Sequence, residues 1–243
     1  ATVTVGNAPE GVAISPDGTK VYATNSGDGT VSVINASTSA VIGTITVGIQ
    51  PYGVAVTPNG ATAYVANNTP NNVSVINTST NTVTATITVG SRPGNVAITP
   101  DGSKAYVTNV GASTVSVIDT STNTVAATVG VGAGPQGVAI TPDGKYAYVA
   151  NGTSGNVSVI DTLSNSVTAT VTVGNGPQGV AVSSDGAKVY VANFASGTVS
   201  VINTGTNTVS STISVGTHPT EIGIQPAPTG ISQFMPVSNW WGA

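Results

Sequence analysis

The chain of 243 residues has no cysteine, one methionine and one histidine. A disulfide scaffold and a zinc–thiolate centre are therefore excluded. Charge is nearly as scarce: 6% of residues are charged, against about a quarter in an average soluble domain. The five basic residues (Lys20, Arg92, Lys104, Lys145 and Lys188) are too few to neutralise a phosphate backbone, which argues against nucleic acid as a ligand. No apolar run reaches the ~18 residues of a membrane-spanning helix, so no membrane insertion is expected, and no secretory leader is visible. The 3.6-residue apolar rhythm of an amphipathic helix is missing throughout. Disorder needs low hydrophobicity and high net charge; with 39% hydrophobic residues and a net charge of −4 the chain has neither.

What is present is a repeat. Pro9, Pro51, Pro93, Pro135, Pro177 and Pro219 stand 42 residues apart. Between them four β-branched runs recur. The first, Gly-Val-Ala-Ile at Gly11, leads into Pro-Asp-Gly. The second is Tyr-Ala-Thr-Asn at Tyr22, then Tyr-Val-Ala-Asn or Tyr-Val-Thr-Asn at Tyr64, Tyr106, Tyr148 and Tyr190. The third is Val-Ser-Val-Ile-Asn/Asp at Val31, Val73, Val115, Val157 and Val199. The fourth ends at Gly48, Gly90, Gly132, Gly174 and Gly216. Val and Thr suit a pleated surface, and Pro-Asp-Gly supplies the preset φ and the positive φ of a tight turn. Four short strands in about 40 residues is the arithmetic of a propeller blade, with strands A to D running outward from the channel. The expected architecture is an all-β, six-bladed propeller in one domain. Five blades span about 9–48, 51–90, 93–132, 135–174 and 177–216, and the closing blade combines 219–243 with 1–6. In it Thr2–Gly6 supplies strand D, Glu221–Gln225 strand A, Ile231–Met235 strand B and Asn239–Ala243 the start of C. Such sharing leaves no open edge between first and last blades. Thr2, Val3, Val5, Trp240 and Trp241 are the residues expected to govern closure or assembly.

Tyr-Val-Thr/Ala-Asn followed by Val-Ser-Val-Ile-Asp, with Pro-Asp-Gly, resembles the YVTN β-propeller repeat family over about residues 1–226. The resemblance implies a relation to archaeal surface-layer proteins and secreted bacterial propellers, some of whose relatives carry haem or bind partners. The archaeal surface-layer propeller has seven blades, so the six expected here depart from it.

The repeating charges have structural reasons to exist. Asp17, Asp101, Asp143 and Asp185 sit in the A–B turn, Asp119 and Asp161 end strand C, and Lys20, Lys104 and Lys188 open strand B. Variation gathers in the D–A and B–C loops, which share one face of a propeller. Loops on a rigid scaffold are where binding residues usually lie. The binding-face candidates are Glu10, Asp28, Tyr52, Arg92, Gln136, Gln178 and His218. His218 has no Cys or second His beside it and no nucleophile motif accompanies it, so no catalytic residue, metal or cofactor is assigned. Six sequons, at Asn35, Asn67, Asn72, Asn77, Asn151 and Asn156, match the frequency that so much Asn, Ser and Thr produces by chance. The expected function is a non-enzymatic, secreted or cell-surface module that binds a protein or a cell-surface polymer, or assembles into a homo-oligomer, layer or filament. The alternative is a cofactor-binding or enzymatic propeller using the channel mouth around His218, Glu10, Arg92 and Tyr52.

Overall fold

A computed structural model describes residues 2–224. Its elements are β-strands only, and each 42-residue unit makes one antiparallel sheet of four. The first holds β1 (Pro9–Ile14), β2 (Lys20–Asn25), β3 (Thr30–Asn35) and β4 (Ala40–Thr46) in sequence order. The same order returns in β5–β8 (Pro51–Val56, Thr62–Asn67, Asn72–Asn77, Thr82–Thr88) and β9–β12 (Pro93–Ile98, Lys104–Asn109, Thr114–Asp119, Thr124–Gly130). It returns again in β13–β16 (Pro135–Ile140, Tyr146–Asn151, Asn156–Asp161, Ser166–Thr172) and β17–β20 (Pro177–Val182, Lys188–Asn193, Thr198–Asn203, Thr208–Ser214). The A strands of successive sheets lie side by side, as the inner wall of a β-propeller requires.

The core lies between blades rather than within them. Tyr22, Val31, Val33 and Ile45 of the first blade pack against Val54, Ala63, Val65 and Ile76 of the second. Equivalent clusters join the second to the third, the third to the fourth and the fourth to the fifth. Alternation along each strand sends one set of side chains to the preceding blade and the other to the next, so in the three middle blades both faces are apolar and both are covered.

The motif residues tie these layers together. Tyr64 Oη donates to Asn123 Oδ1 of the next blade at 2.7 Å, as Tyr106 does to Asn165 at 3.1 Å and Tyr148 to Asn207 at 2.8 Å. The motif asparagine is fully buried. Asn67 Nδ2 donates to Asn72 Oδ1 and Ser74 Oγ, while its Oδ1 accepts the Gly48 N–H of the preceding strand D. Lys20 and Lys104 at the start of strand B cap the backbone carbonyls of Thr78 and Thr162 one blade on. The A–B turn aspartates take their expected part: Asp17 accepts from Ser15 Oγ and from the Thr19 N–H and hydroxyl. These bonds hold its carboxyl below the usual range.

Five sheets, not six, are formed among the described residues. Residues 225–243 lie outside them, and with them fall the expected strands B and C of a closing blade, Trp240 and Trp241. Thr2–Gly6, expected as strand D, has no ladder partner and is not a strand; a lone edge has nothing to pair with until a strand C lies beside it. It nevertheless docks as a strand D would. Val3 and Val5 are half-buried between exposed Thr2 and Thr4, and the Gly6 N–H donates to Asn25 Oδ1 at 3.1 Å, as Gly48 does to Asn67. Ile222–Ile224 likewise follows β20 without forming a strand. Two sequon asparagines, Asn67 and Asn151, are wholly buried, and the folded chain offers neither for glycosylation.

Candidate functional site

Each strand A carries a bulge at its start. Pro51 pairs with Asn67 and Val54 with Val65, so Tyr52 and Gly53 together oppose Ala66. The same shift occurs in the other four blades. An extra residue in one strand breaks the ladder locally and re-aims a side chain. Glu10, Tyr52, Gln136 and Gln178 occupy this position, which the sequence alone presents as part of a D–A loop. The glycine that follows lets neighbouring A strands touch: a Cβ on Gly53 would lie 2.7 Å from Asn95 Cα, and one on Gly137 2.5 Å from the Gln178 carbonyl. Threonines on strand B hold the bulge where they occur. The Gly11 N–H donates to Thr24 Oγ1 at 2.8 Å, and Thr24 Oγ1 donates onward to the Tyr52 carbonyl at 2.6 Å.

The bulges converge on one cavity of about 320 Å³ at the channel mouth. Its side chains are those of Glu10, Tyr52, Asn95, Gln136, Gln178, Thr220 and Glu221, set in a wall of glycine backbone. No lysine, arginine or histidine lines it. Glu221 keeps solvent on one side while protein crowds the others, and that desolvation raises its carboxyl above the ordinary value. Three inter-blade clefts on the opposite face are larger, about 430, 530 and 540 Å³. They are built from repeating turn residues whose polar atoms serve the turn. The mouth differs from blade to blade; the Asn95 oxygen accepts the Val96 N–H at 2.7 Å, while Gln136 and Gln178 present their amides to the cavity.

Of the expected binding residues, four meet here: Glu10, Tyr52, Gln136 and Gln178. Three do not. Asp28 clamps the N-terminal segment, accepting from the Asn7 N–H at 2.7 Å and from Asn7 Nδ2 at 2.8 Å. Arg92 lies at φ 53°, its N–H bound by Asn71 Oδ1, with its side chain along Gly111. His218 stacks on Phe194 with ring centroids 4.5 Å apart. Asn95 and Glu221 are the additions. Both stand where Gly11, Gly53, Gly137 and Gly179 fall in the 42-residue register, and that substitution of a repeated glycine was the signal available for finding them.

Comparison with known proteins follows the fold closely. The family model "Cytochrome D1 heme domain" matches residues 101–227, just over half of the chain. Hydrazine synthase of Kuenenia stuttgartiensis superposes with a TM-score of 0.76 and 29% identity over 84% of this chain. The chain spans 65% of that protein's length, short of two thirds. A functionally unknown protein from Desulfotomaculum acetoxidans DSM 771 superposes with a TM-score of 0.77 at 19% identity, covering 90% of this chain and 76% of its own. No curated protein matches.

Proposed function

The chain belongs to the cytochrome D1 heme domain family, and from that premise we propose that it is a binding propeller whose ligand enters the channel mouth and is an uncharged, hydroxyl-rich molecule, not haem. The observation that carries this reading is the convergence of the non-repeating bulge residues of otherwise near-identical blades on one cavity.

Haem does not fit the residues present. Its iron takes a histidine, thiolate, thioether or tyrosinate ligand. His218 is engaged with Phe194 and does not line the mouth. Tyr52 does line it, but beside the carboxylates Glu10 and Glu221 and with no lysine, arginine or histidine there to favour a tyrosinate. The same two carboxylates repel propionates. Among the described residues no three His, Cys, Asp or Glu gather as a metal site. Family membership supports the propeller scaffold.

Amides and carboxylates suit sugar hydroxyls. An amide offers two donors and an accepting oxygen, a carboxylate accepts from vicinal hydroxyls, and the partly exposed Tyr52 ring can lie against a sugar's C–H face. A cavity of this size is at the small end of ligand sites, which suits the end of a saccharide chain. A neutral cell-surface polysaccharide is the partner we propose, with the chain acting at the cell surface as a non-enzymatic module of six blades.

Calorimetric titration with cellobiose, maltose and chitobiose tests the reading, beside titration with hemin. The expected result is saturable binding of at least one disaccharide, lost in Gln136→Ala/Gln178→Ala, and no shift of the hemin absorption band. Stoichiometric hemin binding abolished by His218→Ala, or no disaccharide bound, overturns it.

A further inference from the structure

The three clefts on the face opposite the mouth repeat one another in the 42-residue register. Between the first and second blades the lining includes Asp17, Lys20, Asn59 and Thr78. Between the third and fourth it includes Asp101, Lys104, Asp143 and Thr162, and between the fourth and fifth Asp143, Tyr146, Asp185 and Thr204. In the first two, a lysine ammonium from one blade's strand B donates to a backbone carbonyl of the next. Lys20 Nζ reaches the Thr78 carbonyl at 2.7 Å, and Lys104 Nζ that of Thr162, 58 residues along the chain. In the last cleft the same register pairs Tyr146 with Thr204. The Thr204 carbonyl therefore receives no lysine from strand B, and no residue lining this cleft carries positive charge.

We propose that this cleft between the fourth and fifth blades binds a primary alkylammonium group brought by an external ligand, either a free amine or a lysine side chain. Acidic turns alone would name no ligand. The chain's own Lys104 does, because it holds an ammonium on the equivalent carbonyl between equivalent carboxylates. Two turn carboxylates line the vacant cleft as they line the one that Lys104 enters; in the first cleft one of the two turns carries Asn59 instead. Asp185 accepts from Ser183 Oγ and from the Ala187 N–H through Oδ1, which leaves Oδ2 for a ligand. Lys145 pairs with Asp143 at 3.3 Å and Lys188 stands near Asp185, but neither lines the cleft. The half-buried Tyr146 adds an aromatic ring, whose face attracts cations. Gly205 stands where the other two clefts have Ser79 and Leu163, so no side chain narrows the rim there. An ammonium has three donors and no acceptor, which suits a carbonyl and a carboxylate together. The volume of about 430 Å³ admits an alkyl stem behind it. The site lies on the face opposite the mouth and is independent of what the mouth binds.

Amide resonances of the isotope-labelled protein read the test. Titration with n-butylammonium, for a free amine, and with Nα-acetyl-lysine amide, for a side chain, should shift the amides of Gly186, Thr204 and Gly205 saturably, one ligand per chain. The tighter of the two probes names the source. Tetramethylammonium has the same charge but no N–H for the carbonyl, and should bind roughly tenfold more weakly. Tyr146→Lys supplies the ammonium from within, as Lys104 does, and should abolish the shifts while the rest of the spectrum stays in place. Asp185→Asn should weaken binding severalfold. No saturable shift, an equal response to tetramethylammonium, or binding unchanged by Tyr146→Lys or by Asp185→Asn overturns the proposal.

Discussion

The asparagine that ends each strand B does more than terminate a motif. Its amide donates to its own blade's strand C, and at Asn25 and Asn67 its oxygen also accepts a glycine N–H from the segment preceding the blade, whereas the Asn109, Asn151 and Asn193 oxygens are buried with no partner among the described residues. Asn67→Ala leaves Ser74, Asn72 and the Gly48 N–H short of partners in a dry site. A loss of about 2–3 kcal/mol is expected in urea unfolding. The tyrosine two turns of the pleat away divides the blades more finely. Tyr64→Phe strands Asn123 Oδ1 and should cost about 1–2 kcal/mol, whereas the Tyr22 hydroxyl is buried with no partner among the described residues, so Tyr22→Phe should be neutral or stabilising. Burial raises Tyr64, Tyr106 and Tyr148 to about 12. A pKa raised on folding means the native state holds its proton longer, so this contribution is complete below about 10 and lost between about 10 and 12. Melting temperatures should fall across that window together with the appearance of phenolate absorbance.

Among elements, strand A shows where sequence reading stops. Its existence, length and spacing were legible because proline, glycine and the Pro-Asp-Gly turn recur at fixed offsets. The bulge was not, because a two-against-one mismatch is a property of a strand and its partner together. Glu10 and Gln136 thus read as loop residues, although they belong to strands and their aim is fixed by Val12 and Val138 resuming the ladder. Asn95 and Glu221 were within reach, since they replace a repeated glycine. The Phe194–His218 stack was not, because nothing in either residue's register announces that two loops meet. Two expectations follow for these strands. Gly53→Ala should destabilise by roughly 1–3 kcal/mol in thermal unfolding, as its Cβ has only backbone to displace; Gln136→Ala should stay within about 0.5 kcal/mol. The turns between strands A and B set the acid limit. Hydrogen bonds from Ser15, Thr99, Thr141 and Ser183 lower the carboxyls of Asp17, Asp101, Asp143 and Asp185. A depressed pKa contributes stability above the unfolded value near 4 that vanishes as pH drops through the native one. Acid unfolding should therefore begin below about pH 4, and Asp101→Asn should weaken that dependence.

For the whole molecule, the blades are alike and the join is not. Contacts within a blade and between neighbouring blades join residues a few tens apart. The Asp28 clamp holds Asn7, 21 residues away, to the first blade. Other blades hold the corresponding loop with a serine, as Ser154 does Ala133 and Ser196 does Asn175; here a carboxylate makes two bonds. Both bonds are exposed, so Asp28→Ala should cost no more than about 1 kcal/mol in urea unfolding. Where unfolding is irreversible, the protein's endurance is a lifetime, set by how seldom its least-held segment parts, and five well-packed blades cannot lengthen it.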